Sequence, residues 1–517
     1  MQRKPKKPVA LIILDGWGAA SKGKGNAVAL ANTPNLDNFF KKFPCGEIIA
    51  HGEAVGLEKD ETSGSETAHE NLGAGRIVIQ DSRRISESIH DLSFFSNSAL
   101  LGAIENLKNK KNSLHLMGLL SGNNSPHSKI WHLKALLELA KRHHTEKVFL
   151  HLFTDGRDSC PKSAKSFVEE IENYMKKLGT GEVATIGGRL YGMDRAKRWE
   201  RLIKAYDAIT LGKGEFAENA LEAIEKAYKK GSADEFILPT VILKNKKPVA
   251  KIKDGDSVIF FHFRSDRARN FTKLFVSDDI ENAKRKKKLK DLFFVAFTDF
   301  GPDLSVRTAF PSLPVKNSLP FALKELRQLY IAEMEKFAHI TYFFNGGYAN
   351  PVANEARIVV QSDSVENYKD NPQMSAKELA DVITSNIKFD VYDFIAVNFA
   401  NLDMVGHTGC IAAAKKAAEE VDLQAGKIVE AILEKDGTAI IVGDHGNAEE
   451  MLDKNGKIST CHSKNPVPVI LINKKWKDKK MKMDRGLLSD IAPTIIDLFG
   501  VKQPKEMTGK SLLKLIG

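Results

Sequence analysis

The chain is predicted to be an α/β protein, and three features of its sequence predict it. Short continuous apolar runs recur, as strands buried on both faces require; longer amphipathic stretches separate them; and charged residues follow the ends of the runs. The runs predict strands at 9–14, 114–119, 148–153, 183–186, 258–263, 293–297, 340–344, 394–399 and 439–442. The amphipathic stretches predict helices at 130–142, 162–178, 219–229, 376–387, 411–433 and 488–499. No internal repeat or low-complexity segment interrupts the alternation.

With 517 residues, 42% of them hydrophobic, the chain can bury one large core or two ordinary ones, which excludes a small binding module. Charged residues at 28%, aromatics at 8% and ordinary Gly and Pro usage exclude disordered and fibrous readings. The longest apolar runs fall far short of the roughly 18 residues a membrane helix needs. The Lys-rich start at 1–7 has no signal-peptide apolar region behind it, so the expected compartment is the cytoplasm. Cys45, Cys160, Cys410 and Cys461 form no CxxC pair and are expected to be reduced, with Cys410 and Cys461 read as small buried hydrophobes. The net charge of +11 is concentrated in two lysine runs, 284–290 and 474–482. Only Trp476 interleaves with them, so they read as solvated faces rather than a nucleic-acid site.

Open α/β sheets bind ligands outside the carboxyl ends of their strands. Just past the predicted strand ends stand Asp15, Asp155 with Arg157 and Asp158, Arg189, Arg264 with Asp266 and Arg267, Asn345, Asp403, and Asp444 with His445. These sort into a terminal group, joined by His407 and His462, and a central Arg/Asp group, joined by His127. Two domains' worth of chemistry is the simplest explanation.

In the terminal group, Asp403 and His407 are four apart, Asp444 and His445 are adjacent, and His462 lies in a polar loop. Carboxylates mixed with imidazoles suit manganese or zinc, and so many ligands exceed one tetrahedral ion, so two divalent cations are the better count. Such a pair clamps phosphoryl oxygens and activates a nucleophile. The loop from Thr62 to Arg76, rich in small residues, offers the hydroxyls of Ser63 and Ser65, both eligible on spacing. The central arginines, Arg157, Arg189, Arg195, Arg264 and Arg267, read as a pocket for a doubly anionic small substrate, because guanidinium forks match carboxylate and phosphate. Salt bridges that pin loops are expected to explain one or two of them. Asp158 among them is the natural acid/base group, a proton acceptor before a donor.

The segments ILDGWG, SETAHENLGAGRIVIQD, HSKIWHLKALLELA, FTDGRD, GRLYGMDRAKRWER, FHFRSDRAR, AEMEKFAHITYFFNGG, NLDMVGHTG, VGDHGNAEEM and HSKNPVPV follow one another in an order that resembles the cofactor-independent phosphoglycerate mutase family. The resemblance runs over nearly the whole chain. It implies an alkaline-phosphatase-like α/β sandwich with a mainly parallel central sheet and an inserted smaller α/β domain. It also implies interconversion of 3-phosphoglycerate and 2-phosphoglycerate through a phosphoserine, with two divalent ions, manganese first and magnesium, zinc or cobalt as alternatives, and no bisphosphoglycerate.

Carried over by residue, the resemblance makes Ser65 the nucleophile, because GSETAH at 64–69 aligns with the family's GNSEVGH. It assigns one metal to Asp403, His407 and His462, and the other to Asp15, Ser65, Asp444 and His445. Substrate contacts fall to His127, Arg157, Asp158, Arg189, Arg195, Arg264, Arg267 and Lys336, with Asp158 also catalytic. The chain departs from the family where Asn becomes Gly64, where LSDGGVHSH becomes LSGNNSPHSK with one residue inserted, and where its last His becomes Lys129. The two groups divide the chain into a discontinuous metal-binding domain, 1–78 with 313–517, and an inserted substrate domain, 79–312. A phosphoglycerate substrate, no nucleic-acid or membrane partner, and a monomer are the expected associations. A phosphatase or sulfatase of the same superfamily is the first rival, and a nucleic-acid-binding protein the second.

Overall fold

The computed structural model describes residues 7–108, 112–122, 125–281, 283–362, 365, 367–482 and 485–517. Residues 1–6 of the Lys-rich start, and Asn123 and Asn124 of the LSGNNSPHSK loop, lie outside them. The chain divides into two compact units, Met1–Gln80 with Pro314–Gly517, and Asp81–Leu313.

In the discontinuous unit the strands run in the order Glu355–Val360, Gln328–Glu333, Phe394–Phe399, Val9–Leu14, Thr438–Gly443, Val467–Ile472, Cys45–Ile49, Gly486–Leu487. The first five are parallel; Val467–Ile472 pairs antiparallel with both its neighbours. Alternate residues of the apolar strand Val9–Leu14 feed opposite layers. Ala10, Ile12 and Leu14 pack with the helices Ala376–Lys388 and Ile411–Glu434, whereas Val9, Leu11 and Ile13 pack with Ser65–Ala74 and Ile491–Phe499. A strand covered on both faces has no polar side to show, which is why it reads as an unbroken apolar run.

The second unit repeats the principle. Its sheet runs Arg307–Thr308, Phe293–Ala296, Ser257–Phe260, Leu114–Leu120, Val148–Thr154, Glu182–Gly188, Thr240–Lys244, Glu215–Ala217, parallel as far as Glu182–Gly188. Leu116, Leu150 and Leu152 face one core layer, Met117, Leu119 and Phe153 the other.

Several expectations are corrected. The run 340–344 is no strand: Met334–Ala338 continues into a π-helical turn at His339–Phe343, with Ile340 and Phe344 buried on the helix side of the sheet. A short apolar run does not distinguish a strand from a buried helical turn. Asn345 therefore follows that turn rather than a strand, and it donates to Glu355 Oε2 at 2.8 Å. The segment 65–74, expected as loop, is helical. Cys461 is exposed in its polar loop and Cys410 half-buried, so neither is a fully buried hydrophobe; all four thiols are free. Among the described residues no helix is long and apolar enough to cross a membrane.

Candidate active site

Strand register assembles the terminal group. Leu14 is level with Phe399 on one side and Gly443 on the other. Asp15, the helix Asn401–Gly406 that carries Asp403, and Asp444 therefore leave one carboxyl edge together. The turn after Asp15 needs glycine: Gly16 has φ +76°, and a Cβ there would lie 2.7 Å from the backbone nitrogen of Asp403. That close approach lets Asp403 N–H donate to Asp15 C=O at 3.2 Å.

Two clusters of donor atoms result. In the first, Asp403 Oδ1 lies 3.1 Å from His462 Nε2 and 3.2 Å from His407 Nε2, and the two imidazole nitrogens are 3.2 Å apart. His407 Nδ1 donates to Thr460 C=O at 2.8 Å and His462 Nδ1 to Ser63 C=O at 2.7 Å. A carbonyl only accepts, so Nδ1 carries a proton in each ring, which leaves Nε2, beside Asp403 Oδ1, as the nitrogen each ring could offer a cation. Three acceptors converging in this way fit a cation.

In the second, Ser65 Oγ is 3.1 Å from both Asp15 Oδ1 and His445 Nε2. Asp444 Oδ1 accepts from the backbone N–H groups of Gly16 at 3.0 Å and His445 at 2.8 Å. Asp444 Oδ2 is buried with no hydrogen-bond partner, 3.4 Å from His445 Nε2. A buried, unsatisfied carboxylate oxygen beside an imidazole nitrogen again fits a cation. His445 and His462 stack with centroids 3.9 Å apart, so the clusters adjoin, and Asp403, His445 and His462 also bring donor atoms within 4.8 Å of one another.

Lys336 lies in the midst of these groups. Its Nζ is 2.8 Å from Asp15 Oδ1, 2.6 Å from Asp403 Oδ2 and 2.7 Å from Ser65 Oγ. Burial works against every charge here, and Lys336 decides which survive. Burial, the largest influence, raises the pKa of Asp15, but Lys336 together with His445 and His69 brings the carboxyl down to about 2. Asp403 is likewise held well below the usual range, against burial, by Lys336 and then by His407 and His462. Burial and then the charge of Asp15 push Asp444 well above it. Burial, followed by the neighbouring His462, lowers His445 to about 3. Burial alone would lower His407, but the hydrogen bond and charge of Asp403 raise it.

The geometry separates the two serines. Ser63 Oγ is turned away to donate to Ala50 C=O, whereas Ser65, the first residue of the helix Ser65–Ala74, presents its hydroxyl to the cluster. Gly64, where the family has Asn, lies against His462: a Cβ there would be 3.2 Å from its Cε1.

In the second unit, Arg189, His127, Asp155 and Asp158 interlock. Arg189 Nη1 donates to Asp155 Oδ1 at 2.6 Å and Asp158 Oδ2 at 2.5 Å, and Nη2 donates to His127 Nε2 at 3.0 Å. Burial, then the Arg189 charge, holds His127 neutral, well below its ordinary pKa. Arg195 Nη1 and Arg264 Nε share Asp266, at 2.9 and 3.0 Å, and Arg157 lies 3.7 Å from Glu235. Salt bridges thus engage four of the five arginines, more than the one or two expected. Arg267 makes no ion pair within 4 Å among the described residues, though Asp266 is near enough to act on it; burial and then the charge of Arg195 lower its pKa to about 10. Cationic charge in excess of its acidic partners is what an anion site requires.

Comparison with known proteins fits this geometry. Residues 85–302 match the family model described as the BPG-independent PGAM N-terminus, and 317–496 match the model for type I phosphodiesterase / nucleotide pyrophosphatase. The chain is 49% identical over 513 residues to a 2,3-bisphosphoglycerate-independent phosphoglycerate mutase of Clostridium botulinum, covering 98% of this chain and 100% of that one. The chain belongs to the cofactor-independent phosphoglycerate mutase family. A second relative, the Clostridium perfringens mutase of the same name, is 49% identical over 98% of this chain and 99% of that one. A crystal structure of Leishmania mexicana phosphoglycerate mutase at low cobalt concentration superposes with a TM-score of 0.80 at 26% identity, covering 100% of this chain and 99% of that one.

For this mutase-family chain, sequence reasoning missed the residues that hold the carboxylates. Asn398 Nδ2 donates to Asp15 Oδ2 at 2.7 Å and to His69 Nε2 at 2.9 Å, and His69 Nδ1 donates to Ser65 C=O at 2.8 Å. Asn447 Nδ2 donates to Asp403 Oδ1 at 3.0 Å. Asn398 is the penultimate residue of the strand Phe394–Phe399, and His69 and Asn447 lie in motifs already singled out, so their places were visible, though their partners were not. Lys336, expected at the substrate, stands against Ser65, Asp15 and Asp403.

Proposed function

We propose that the chain interconverts 3-phosphoglycerate and 2-phosphoglycerate without bisphosphoglycerate, carrying the phosphoryl group on Ser65 in transit. The observation that carries this reading is the place of Ser65 Oγ, 2.7 Å from the Lys336 ammonium and 3.1 Å from Asp15 and His445. Asp403, His407 and His462 would hold one divalent ion, and Asp15, Ser65, Asp444 and His445 the other, with manganese first and magnesium, zinc or cobalt as alternatives. When bound, the ions would supply Lewis acidity that lowers the pKa of the serine hydroxyl and offsets charge on phosphoryl oxygens.

Ser65 Oγ attacks phosphorus; its bond to phosphorus forms as the bond to the 3-oxygen breaks, and the proton Ser65 loses balances the one the leaving oxygen gains. His127, Arg157, Arg189, Arg195, Arg264 and Arg267 serve the carboxylate and hydroxyls of glycerate. Asp158 takes the proton of the 2-hydroxyl, which then recovers the phosphoryl group, and Ser65 regains its proton. Lys336 steadies the serine oxygen whenever it carries charge. As an enzyme of sugar breakdown it would act in the cytoplasm, and since one chain carries both residue groups, the reading asks for no second copy. The test is a coupled assay of 2-phosphoglycerate formed from 3-phosphoglycerate with no bisphosphoglycerate added. Stoichiometric phosphate release with no 2-phosphoglycerate would replace the mutase with a hydrolase.

A further inference from the structure

We infer that Glu449 is a positioning residue that assembles the candidate metal centre by tying together four of the five chain segments that carry its proposed ligands, all but that of Ser65. The side chain is 3% exposed and both its oxygens are used. Oε2 accepts from the backbone N–H of Gly18 at 3.1 Å and of Asn447 at 2.8 Å. Oε1 accepts from the Ser463 hydroxyl and from Asn465 Nδ2, the latter at 3.0 Å. Gly18 lies just beyond Asp15, Asn447 just beyond Asp444 and His445, and Ser463 directly after His462. The fourth segment is reached through Asn447, whose side chain donates to Asp403 Oδ1 at 3.0 Å.

These segments are far apart in sequence, and strand register alone brings only three of them to one edge; the loop carrying His462 has no strand of its own leading into it. The carboxylate supplies that missing constraint. The backbone makes room for it at two glycines. A Cβ on Gly18 would lie 2.2 Å from Glu449 Cδ, and one on Gly446 would lie 2.2 Å from Ser463 Oγ and 2.4 Å from Glu449 Oε1. All four partners of Glu449 are donors, so both of its oxygens must accept. A glutamine amide of the same shape must keep its carbonyl for the two backbone N–H groups and turn its NH₂ to Ser463 and Asn465, which have to reorient to accept it, so the tie to the His462 segment loses its present geometry. Glu449 touches none of the candidate ligand atoms and acts through the segments it holds, as the outer partners of metal ligands do.

The inference rests on the metal reading above, and the experiment separates the two. Manganese is titrated calorimetrically into chelator-stripped full-length protein, beside the melting temperature of the same metal-free samples. Glu449→Gln is expected to bind manganese about 10- to 100-fold more weakly, with Glu449→Asp, which keeps two accepting oxygens, between it and the wild type. Wild-type protein that takes up no manganese overturns the metal reading and this inference with it. Wild-type binding matched by Glu449→Gln, even at a lower melting temperature, overturns this inference alone, since the carboxylate would then serve folding only. Where Glu449→Gln does not fold, Ser463→Ala combined with Asn465→Ala, which removes both side-chain ties from Glu449 to the His462 segment, decides: weaker manganese binding supports the role and wild-type binding overturns it.

Discussion

Lys336 donates a hydrogen bond to Ser65, Nζ to Oγ at 2.7 Å, while contacting Asp15 and Asp403 at 2.8 and 2.6 Å. One buried ammonium therefore contacts two carboxylates and faces the hydroxyl proposed as the nucleophile. Lys336→Met should leave those carboxylates buried without their cation and destabilise the metal-free protein by about 3–5 kcal/mol. It should also slow phosphorylation of Ser65 by roughly 10²- to 10³-fold, the cost of losing one preorganised donor. Urea unfolding in chelator gives the first quantity and a single-turnover phosphorylation assay the second. A variant as stable as the wild type would show that the carboxylates do not need the ammonium.

Ser65→Ala should abolish phosphoenzyme while leaving the fold intact, because Asp15 keeps its bonds to Lys336 and Asn398. Mapping the trapped phosphate by mass spectrometry tests the assignment. Phosphate on Ser63 would contradict the geometry, which turns that hydroxyl toward Ala50.

How much of this was legible in the sequence follows from what each residue has to do. Strands covered on both faces, such as Val9–Leu14, announce themselves as apolar runs, and the candidate site residues at their ends are found by counting one residue further. Val467–Ile472 was missed because Pro468 argues against a strand paired on both sides, and His339–Phe343 was misread because an apolar turn looks like a strand. The helix Ser65–Ala74 was hidden by Gly and Ser residues typical of turns. What no single sequence displays is reciprocity: that Asn398 serves Asp15, or that Glu449 joins Gly18 to the nearby Asn447 and Ser463, depends on contacts between positions 383 and 431 residues apart.

Exhaustive chelation should abolish turnover, and added manganese should restore it. The metal-free protein should also melt at a lower temperature, because the converging acceptors Asp403 Oδ1, His407 Nε2 and His462 Nε2 lose the cation that reconciles them. Full activity after dialysis against excess chelator would remove metal from the mechanism.

Buried neutral histidines of the second unit make its stability fall in acid. Burial lowers the pKa of His115, of His132 and His151 well below 6.5, and of His262 to about 3. Their folded-state pKa values lie below the unfolded value, so the unfolded chain binds more protons as pH drops. The stability they contribute is complete above about pH 6.5 and is lost progressively below it, each group adding a slope of up to about 1.4 kcal/mol per pH unit. Amide exchange in Leu114–Leu120 and Val148–Thr154, corrected for intrinsic rates, should therefore quicken between pH 6.5 and 4. Protection that is flat or rising over that range would mean these rings are charged when folded.

The last prediction separates mutase from hydrolase. Asp158 receives Arg189 Nη1 at 2.5 Å and lies 3.3 Å from His127 Nε2, a setting in which an ionised carboxylate can take a hydroxyl proton. Asp158→Asn keeps the shape, and Arg189 stays anchored by Asp155 at 2.6 Å. If Asp158 is the base for the second transfer, 2-phosphoglycerate formation should fall by roughly 10²- to 10⁴-fold. Phosphorylation of Ser65 should persist, because that step needs Lys336, Asp15 and His445 rather than Asp158. The stranded phosphoserine should then leak phosphate slowly to water, so the ratio of free phosphate to 2-phosphoglycerate rises in the variant. A hydrolase would behave otherwise: with water as acceptor, the same change would alter substrate affinity and leave the rate of phosphate release nearly untouched. Both products are measured from one reaction, and a ratio that does not change would take Asp158 out of the transfer step.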